Sequence, residues 1–164
     1  KSAVSVDGSQ VNIKAAKEDS NGDLEKLSAA EKSGLEGYFD KIKFVGTPLS
    51  VISEDPDDLK VEMVVYYDPL KMTANGALVD DNSIFPVQDA IKEYVQGLDF
   101  GGVFREGELS QKILEVDGVT NVGIDGLWAK YSGLSYFEVN DSYQSFAGYM
   151  ALDVAGSNIT YRSS

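Results

Sequence analysis

The sequence predicts an α+β fold: a mostly antiparallel sheet with helices packed on one face and a β-hairpin at the C-terminus. Three observations carry that expectation. The run "DLKVEMVVYY" alternates with period two. A segment opening at Pro86 places Val87, Ala90, Ile91, Tyr94, Val95 and Leu98 on one helical stripe. Beyond Gly118 the chain breaks into short extended runs separated by turn residues.

The elements follow in order. "SQVNIKAAK", from Ser9 to Lys17, alternates as a strand, and "EDSNGD" after it is a polar turn. Ser28 and Glu31 form a capping box, in which the hydroxyl accepts from the third helical N–H and the carboxylate reaches back to the cap. A helix is therefore predicted from Ala29 to Lys43, with Leu35, Tyr38, Phe39 and Ile42 as a one-sided apolar stripe that lies on something. "TPLSVIS" and "DLKVEMVVYY", separated by "EDPD", read as an antiparallel hairpin. In its second strand Leu59, Val61, Met63, Val65 and Tyr67 share one face. "DPLKMTANGALVDDNS" is a loop with a turn at Asn75-Gly76, and the Pro86 helix follows. A shorter helix fits Glu108 to Glu115 through Leu109, Ile113 and Leu114. The strands "VTNVGI", "LSYFEVN", "AGYMALDV" and "NITYRS" complete the chain, with "AGSN" as the turn of the terminal hairpin. Residues 1–68 form a strand–helix–hairpin part and residues 69–164 a second part, continuous with the first or joined to it near Pro69 to Ser83.

Composition removes several function classes. With 164 residues and 43% hydrophobic content the chain can bury a core without staples. It has no cysteine, hence no disulfide framework and no thiolate nucleophile. It has no histidine, which removes the Ser-His-Asp triad and the usual catalytic zinc ligand. A net charge of −13 repels nucleic acid, whose binding needs clustered cations. No run of apolar residues is long enough to span a membrane. The opening "KSAVSVDGSQ" has no signal core and no initiator Met, as expected of a processed chain or a fragment.

The motifs that invite chemistry fail on spacing. From Asp19, the first, third and fifth positions of a calcium loop would be Asp19, Asn21 and Asp23. The sixth is then Leu24 where glycine is needed, and the twelfth is Ala30 where a bidentate Glu is needed. The acidic groups "EDPDD" (Glu54 to Asp58) and Asp80-Asp81 would support hydrolysis only as a carboxyl pair facing across a cleft. Trp128 with Tyr131, Tyr136 and Tyr143 would stack on sugar only if exposed together. Gly101 and Gly102 follow a helix and lack the third glycine or the Lys-Ser of a phosphate loop. They read as a connector, with positive φ at the helix end and Gly118 turning into the next strand. No catalytic, cofactor-binding or metal-binding residue is assigned, and no cofactor is expected.

The same connector carries a resemblance. "VQDAIKEYVQGLDFGG", the extended "VFREGEL", a short helix and "ILEVDGVTNV" resemble the C-terminal part of baseplate J-like proteins of contractile phage tails. There a helix ending in an "L.fG" segment leads through a short helix to a "v.GV..v" strand. "DDLKVEMVVYYDP" is similar to the strand that precedes this helix, and "FAGYMALDVAGSNITYRSS" to the ending of versions carried by phages or prophages of gut Bacteroides-type bacteria. The resemblance covers Leu49 to Ser164 and leaves the N-terminal third unmatched. It implies a structural wedge subunit of the baseplate, without catalysis, assembled in the bacterial cytoplasm and resident in the virion. Its partners would be other baseplate or tail proteins, a homo-oligomer among them, with neither nucleic acid nor membrane insertion. A carbohydrate-binding or adhesin-like module and a small carboxylate-dependent hydrolase stay open as alternatives. The assembly reading expects an exposed aromatic patch drawn from Tyr136, Phe137, Tyr143, Phe146 and Tyr149.

Overall fold

The computed structural model describes residues 1–7, 10–20 and 23–164. The first part holds β1 (Ser2–Asp7), β2 (Gln10–Glu18), β3 (Leu24–Lys26), α1 (Ala29–Ile42) and β4 (Leu49–Ile52). Then come β5 (Asp57–Tyr67), α2 (Pro86–Gly97), β6 (Val103–Arg105), α3 (Glu106–Leu114) and β7 (Val119–Lys130). The chain finishes with β8 (Phe137–Glu138), β9 (Ser142–Gln144), β10 (Met150–Leu152) and β11 (Asn158–Ser163). The fold is α+β, with antiparallel pairing dominant.

The main core forms because β5 alternates without a break. Its odd-numbered residues from Asp57 to Tyr67 are all buried, and the even-numbered ones between them are half-buried. Leu59, Val61, Met63 and Val65 meet Val87, Ile91 and Val95 of α2 and Leu109 and Ile113 of α3 in one cluster. The predicted stripe of the Pro86 helix is therefore the packing face, with Tyr94 and Leu98 half-buried at its margin. Pro86 sits in the first turn, where its missing N–H is no loss. The Asn75-Gly76 turn is present, with Gly76 at φ 84° against the Tyr161 ring, so that even a methyl group would collide with it.

The terminal hairpin is a correction. β10 and β11 both run parallel to β5, one after the other along the same edge. The "AGSN" segment does not reverse the chain. The Asp153 carboxylate accepts from Gly156 N at 2.9 Å, and Ser157 Oγ donates to Asp153 O at 2.6 Å. The loop so closed bulges out and returns to its original course. Ser157 Oγ then accepts from Val61 N at 3.0 Å, filling the gap between the two strand segments.

The hairpin expected across "EDPD" is also absent. β4 pairs in parallel with β2, with Val51 opposite Ile13, while β5 has its edges occupied by β7 and by β10 and β11. The chain crosses here from one sheet to the other. β7 runs six residues beyond the predicted end at Ile124, to Lys130. Asp125 is an extra residue in the β5–β7 register, a bulge that the alternation did not reveal. α1 begins on its capping box as expected, but none of its residues is buried, and Tyr38 and Ile42 stand exposed. It lies along β4 with much of its stripe open.

Candidate functional site

Asp57 opens β5 and is fully buried. Its carboxylate accepts from Phe146 N at 2.7 Å, from Ala147 N at 3.1 Å and from the Tyr143 hydroxyl. Its own N–H donates to Tyr149 O at 3.1 Å. A buried carboxylate persists only when such donors replace its water. Asp57 thereby ties the segment from Tyr143 to Tyr149 to the start of the central strand. Burial first, then the bond to Asp57, pushes the Tyr143 hydroxyl well above the ordinary tyrosine range.

The tie fixes which side chains face out. Ser145 and Ala147 turn inward, while Phe146 between them is 59% exposed. The Phe146 ring tilts against Tyr131 at 5.2 Å between centroids, and Phe137, 40% exposed, meets the Tyr143 ring edge-on at 5.5 Å. Leu134, also exposed, sits on the turn after β7, where Leu134 N bonds Tyr131 O and where Ser132 and Gly133 have positive φ. Lys14 of β2 donates to Phe146 O, bracing the loop from the first sheet. Exposed Glu138 and Asp141 lie next to these residues in sequence. The segment from Tyr131 to Phe146 thus carries two exposed rings, Phe146 against Tyr131 and Phe137 against Tyr143, and the exposed Leu134.

Of the five aromatics expected to be exposed, the structure divides the set. Tyr143 and Tyr149 are buried, Tyr136 is half-buried with its hydroxyl on Asp153 at 2.6 Å, and Phe137 and Phe146 are exposed. Tyr149 packs into a small second cluster with Ala16 and Ala147, alongside Phe100, Leu24 and Tyr131, which joins the two sheets. Leu134 carried no signal beyond being a lone apolar residue in a turn. Asp57 stood in the sequence as one acid in a run, and nothing there distinguished it as the buried one.

The rival motifs come apart in space. Asp19 accepts from Asp23 N within its own turn, while Asn21 and Gly22 lie outside the described residues. Glu31 is held by Ser28 and Lys17, and these bonds, that of the Ser28 hydroxyl first, lower its pKa to about 2. No group of three or more metal-binding side chains occurs among the described residues. In the "EDPDD" run Asp55 pairs with Lys26, Asp58 with Lys130, and Asp57 is sealed off from solvent. Asp81 is occupied by Ser83, whose hydroxyl and N–H lower its pKa. A general acid needs the opposite shift. Trp128 lies over Gly126 with the Lys60 ammonium 4.7 Å from its ring centroid, and Tyr136 lies beneath Lys130. With Tyr143 in the core, these rings share no flat platform.

The glycine stretch is a connector in the structure as well. Gly101 has φ 80° just after α2 and donates to Gly148 O, and Gly118 has φ 93° before β7. A recess of 470 Å³ lies between β3, α2 and β10, lined in part by Asp23, Asp89 and Glu93. Two of those acids already have partners, Asp23 with Gln96 and Glu93 with Lys112. Compared with known proteins, the chain matches no family model and no curated protein.

Proposed function

We propose that this chain is a structural assembly subunit of a contractile phage or prophage tail baseplate, acting through protein–protein contacts without catalysis. The observation that carries the reading is the pinned loop: Phe146 is held out in solvent by a buried carboxylate that accepts from its own N–H and its neighbour's. The tie stabilises the isolated fold, and it also leaves Phe146 outside as a pre-ordered anchor of the kind an interface uses. Phe137, Leu134 and Tyr131 extend that anchor into a surface of the composition that interface cores favour. The resemblance of the α2–β7 block to baseplate J-like proteins supplies the kind of assembly. The partners are then other baseplate or tail proteins, and the working location is the virion.

The test is co-expression with the proteins encoded beside its gene, followed by isolation of tail particles. Phe137→Ser combined with Phe146→Ser should leave the chain folded and remove it from the particles. Undiminished incorporation would overturn the assignment of this surface. Absence of the unaltered chain from tail particles, or turnover of a glycan that an Asp or Glu substitution abolishes, would overturn the function.

A further inference from the structure

We infer that α1 is a self-association surface, on which a second copy of this chain docks its own α1 in antiparallel orientation. The inference is independent of the aromatic patch around Phe146 and rests on a different part of the molecule.

The helix presents an anomaly that the isolated chain does not explain. Along one line of its surface, four residues apart, stand Gly34, Tyr38 and Ile42; Gly34 is exposed, Tyr38 is 58% exposed and Ile42 is 59% exposed. At the C-terminal end Phe44 and Val45 project at 87% and 106% exposure from a turn closed by Thr47 N on Phe44 O, with Gly46 at φ 86°. No residue of α1 is buried. Tyr38 and Ile42 share one open line of the helix, with two more exposed apolar side chains just past its end, and apolar groups left open in this way mark a partner site.

The glycines sharpen the point. Gly34 and Gly37 lie inside the helix, where glycine is a poor helix former. Nothing lies within 4 Å of a Cβ built at either position, so no contact within the chain requires their lack of a side chain. Close approach of an outside element would require it. In an antiparallel pair with its two-fold axis at Tyr38, Ile42 of one copy lies over Gly34 of the other, and the reverse. Each large side chain then meets a hole of the right position, the relation an isologous contact demands.

Charge selects a second copy as the occupant. The chain carries −13 overall, so most faces of two copies repel. The segment from Ala29 to Lys43 is balanced, with Glu31, Glu36 and Asp40 against Lys32, Lys41 and Lys43. It is a charge-balanced segment on a strongly acidic molecule, where like can meet like at least electrostatic cost.

Sedimentation velocity over a wide concentration series tests this on the whole chain. The expected result is a monomer–dimer equilibrium that tightens as salt rises, because screening weakens the repulsion between acidic copies. Ile42→Glu and Tyr38→Glu, both at exposed positions, should each weaken dimerisation about tenfold or more while the thermal midpoint holds. Gly34→Ala separates the proposal from a merely structural role: it should raise the thermal midpoint and yet weaken the dimer. A monomer at every concentration, a dimer indifferent to Ile42→Glu, or a dimer strengthened by Gly34→Ala would each overturn the inference. A dimer abolished by Phe146→Ser and untouched by Ile42→Glu would move self-association to the other face and overturn it equally.

Discussion

Replacing Asp57 by alanine tests how the aromatic surface is held. The substitution leaves the Tyr143 hydroxyl, Ala147 N and Phe146 N without their acceptor. The first two bonds are buried, and the third is part-buried beside an exposed ring, where water can replace the lost oxygen. At about 1–3 kcal/mol for each orphaned buried group, the two buried donors alone cost about 2–6 kcal/mol. That is a large share of the roughly 5–15 kcal/mol that domains typically possess. Urea melts followed by far-ultraviolet circular dichroism would read the loss as a lower midpoint at unchanged slope. Asp57→Asn should fall between wild type and alanine, since the amide keeps one accepting oxygen and turns its NH2 toward other donors. A loss below about 1 kcal/mol for Asp57→Ala would refute the argument, because it would mean that the 143–149 segment is held by its apolar contacts alone.

Ile91→Ala should cost about 2–5 kcal/mol in the same melts, since Ile91 is fully buried in the main cluster between α2 and the sheet. Burial first, then nearby acids led by Asp55, pushes the Tyr149 hydroxyl from 10.0 up to about 12. Its protonated form is favoured in the folded state, so its contribution is intact below pH 10 and lost as pH rises toward about 12. A titration of thermal midpoint should show that decline, and Tyr149→Phe should flatten it. At the acid end Glu31 is lowered from 4.5 to about 2, so its support of the α1 N-terminus is complete above 4.5 and fades as pH falls toward 2. Helicity measured over that range should drop less in Glu31→Gln than in the unaltered chain. Calorimetric titration with calcium should find no site at Asp19 to Glu31 in the sensor range of about 10⁻⁷–10⁻⁵ M.

The readable parts of this fold were those in which a local pattern and the tertiary answer coincide. The alternation of β5, the stripe of α2 and the capping box of Ser28 and Glu31 each state their structure within a dozen residues, and each is found in place. Strand partners are not local in that way. "TPLSVIS" and "DLKVEMVVYY" alternate well enough to be neighbours, but pairing is decided by which edges are free, and those of β5 are filled from beyond residue 118. The loop after Asp153 looks like a reversal because glycine, serine and asparagine serve any tight turn, whereas the parallel pairing of β11 with β5 and the bond from Val61 N to Ser157 Oγ, both made by distant residues, show that the strand resumes. The exposed aromatics were only partly legible. An alternation assigns faces along a strand, but Phe146 lies in a loop whose direction is set by a carboxylate 89 positions away.

The placement of β5 governs when the protein can become a protein at all. Its antiparallel neighbour is complete only at Lys130, and its parallel neighbour only at Ser163. Until those stretches exist, the central strand has both hydrogen-bonding edges bare and one wholly apolar face from Leu59 to Tyr67, the kind of segment that pairs with whatever strand it meets first. Closing the sheet means bringing together residues about a hundred positions apart, which places the chain among slow, high-contact-order folders. The interval between the emergence of β5 and the arrival of β11 is its period of greatest exposure to aggregation. The half-buried outer side of β5, with Asp58, Lys60 and Glu62 alternating among its apolar residues, places charges on the one face that stays accessible throughout that wait.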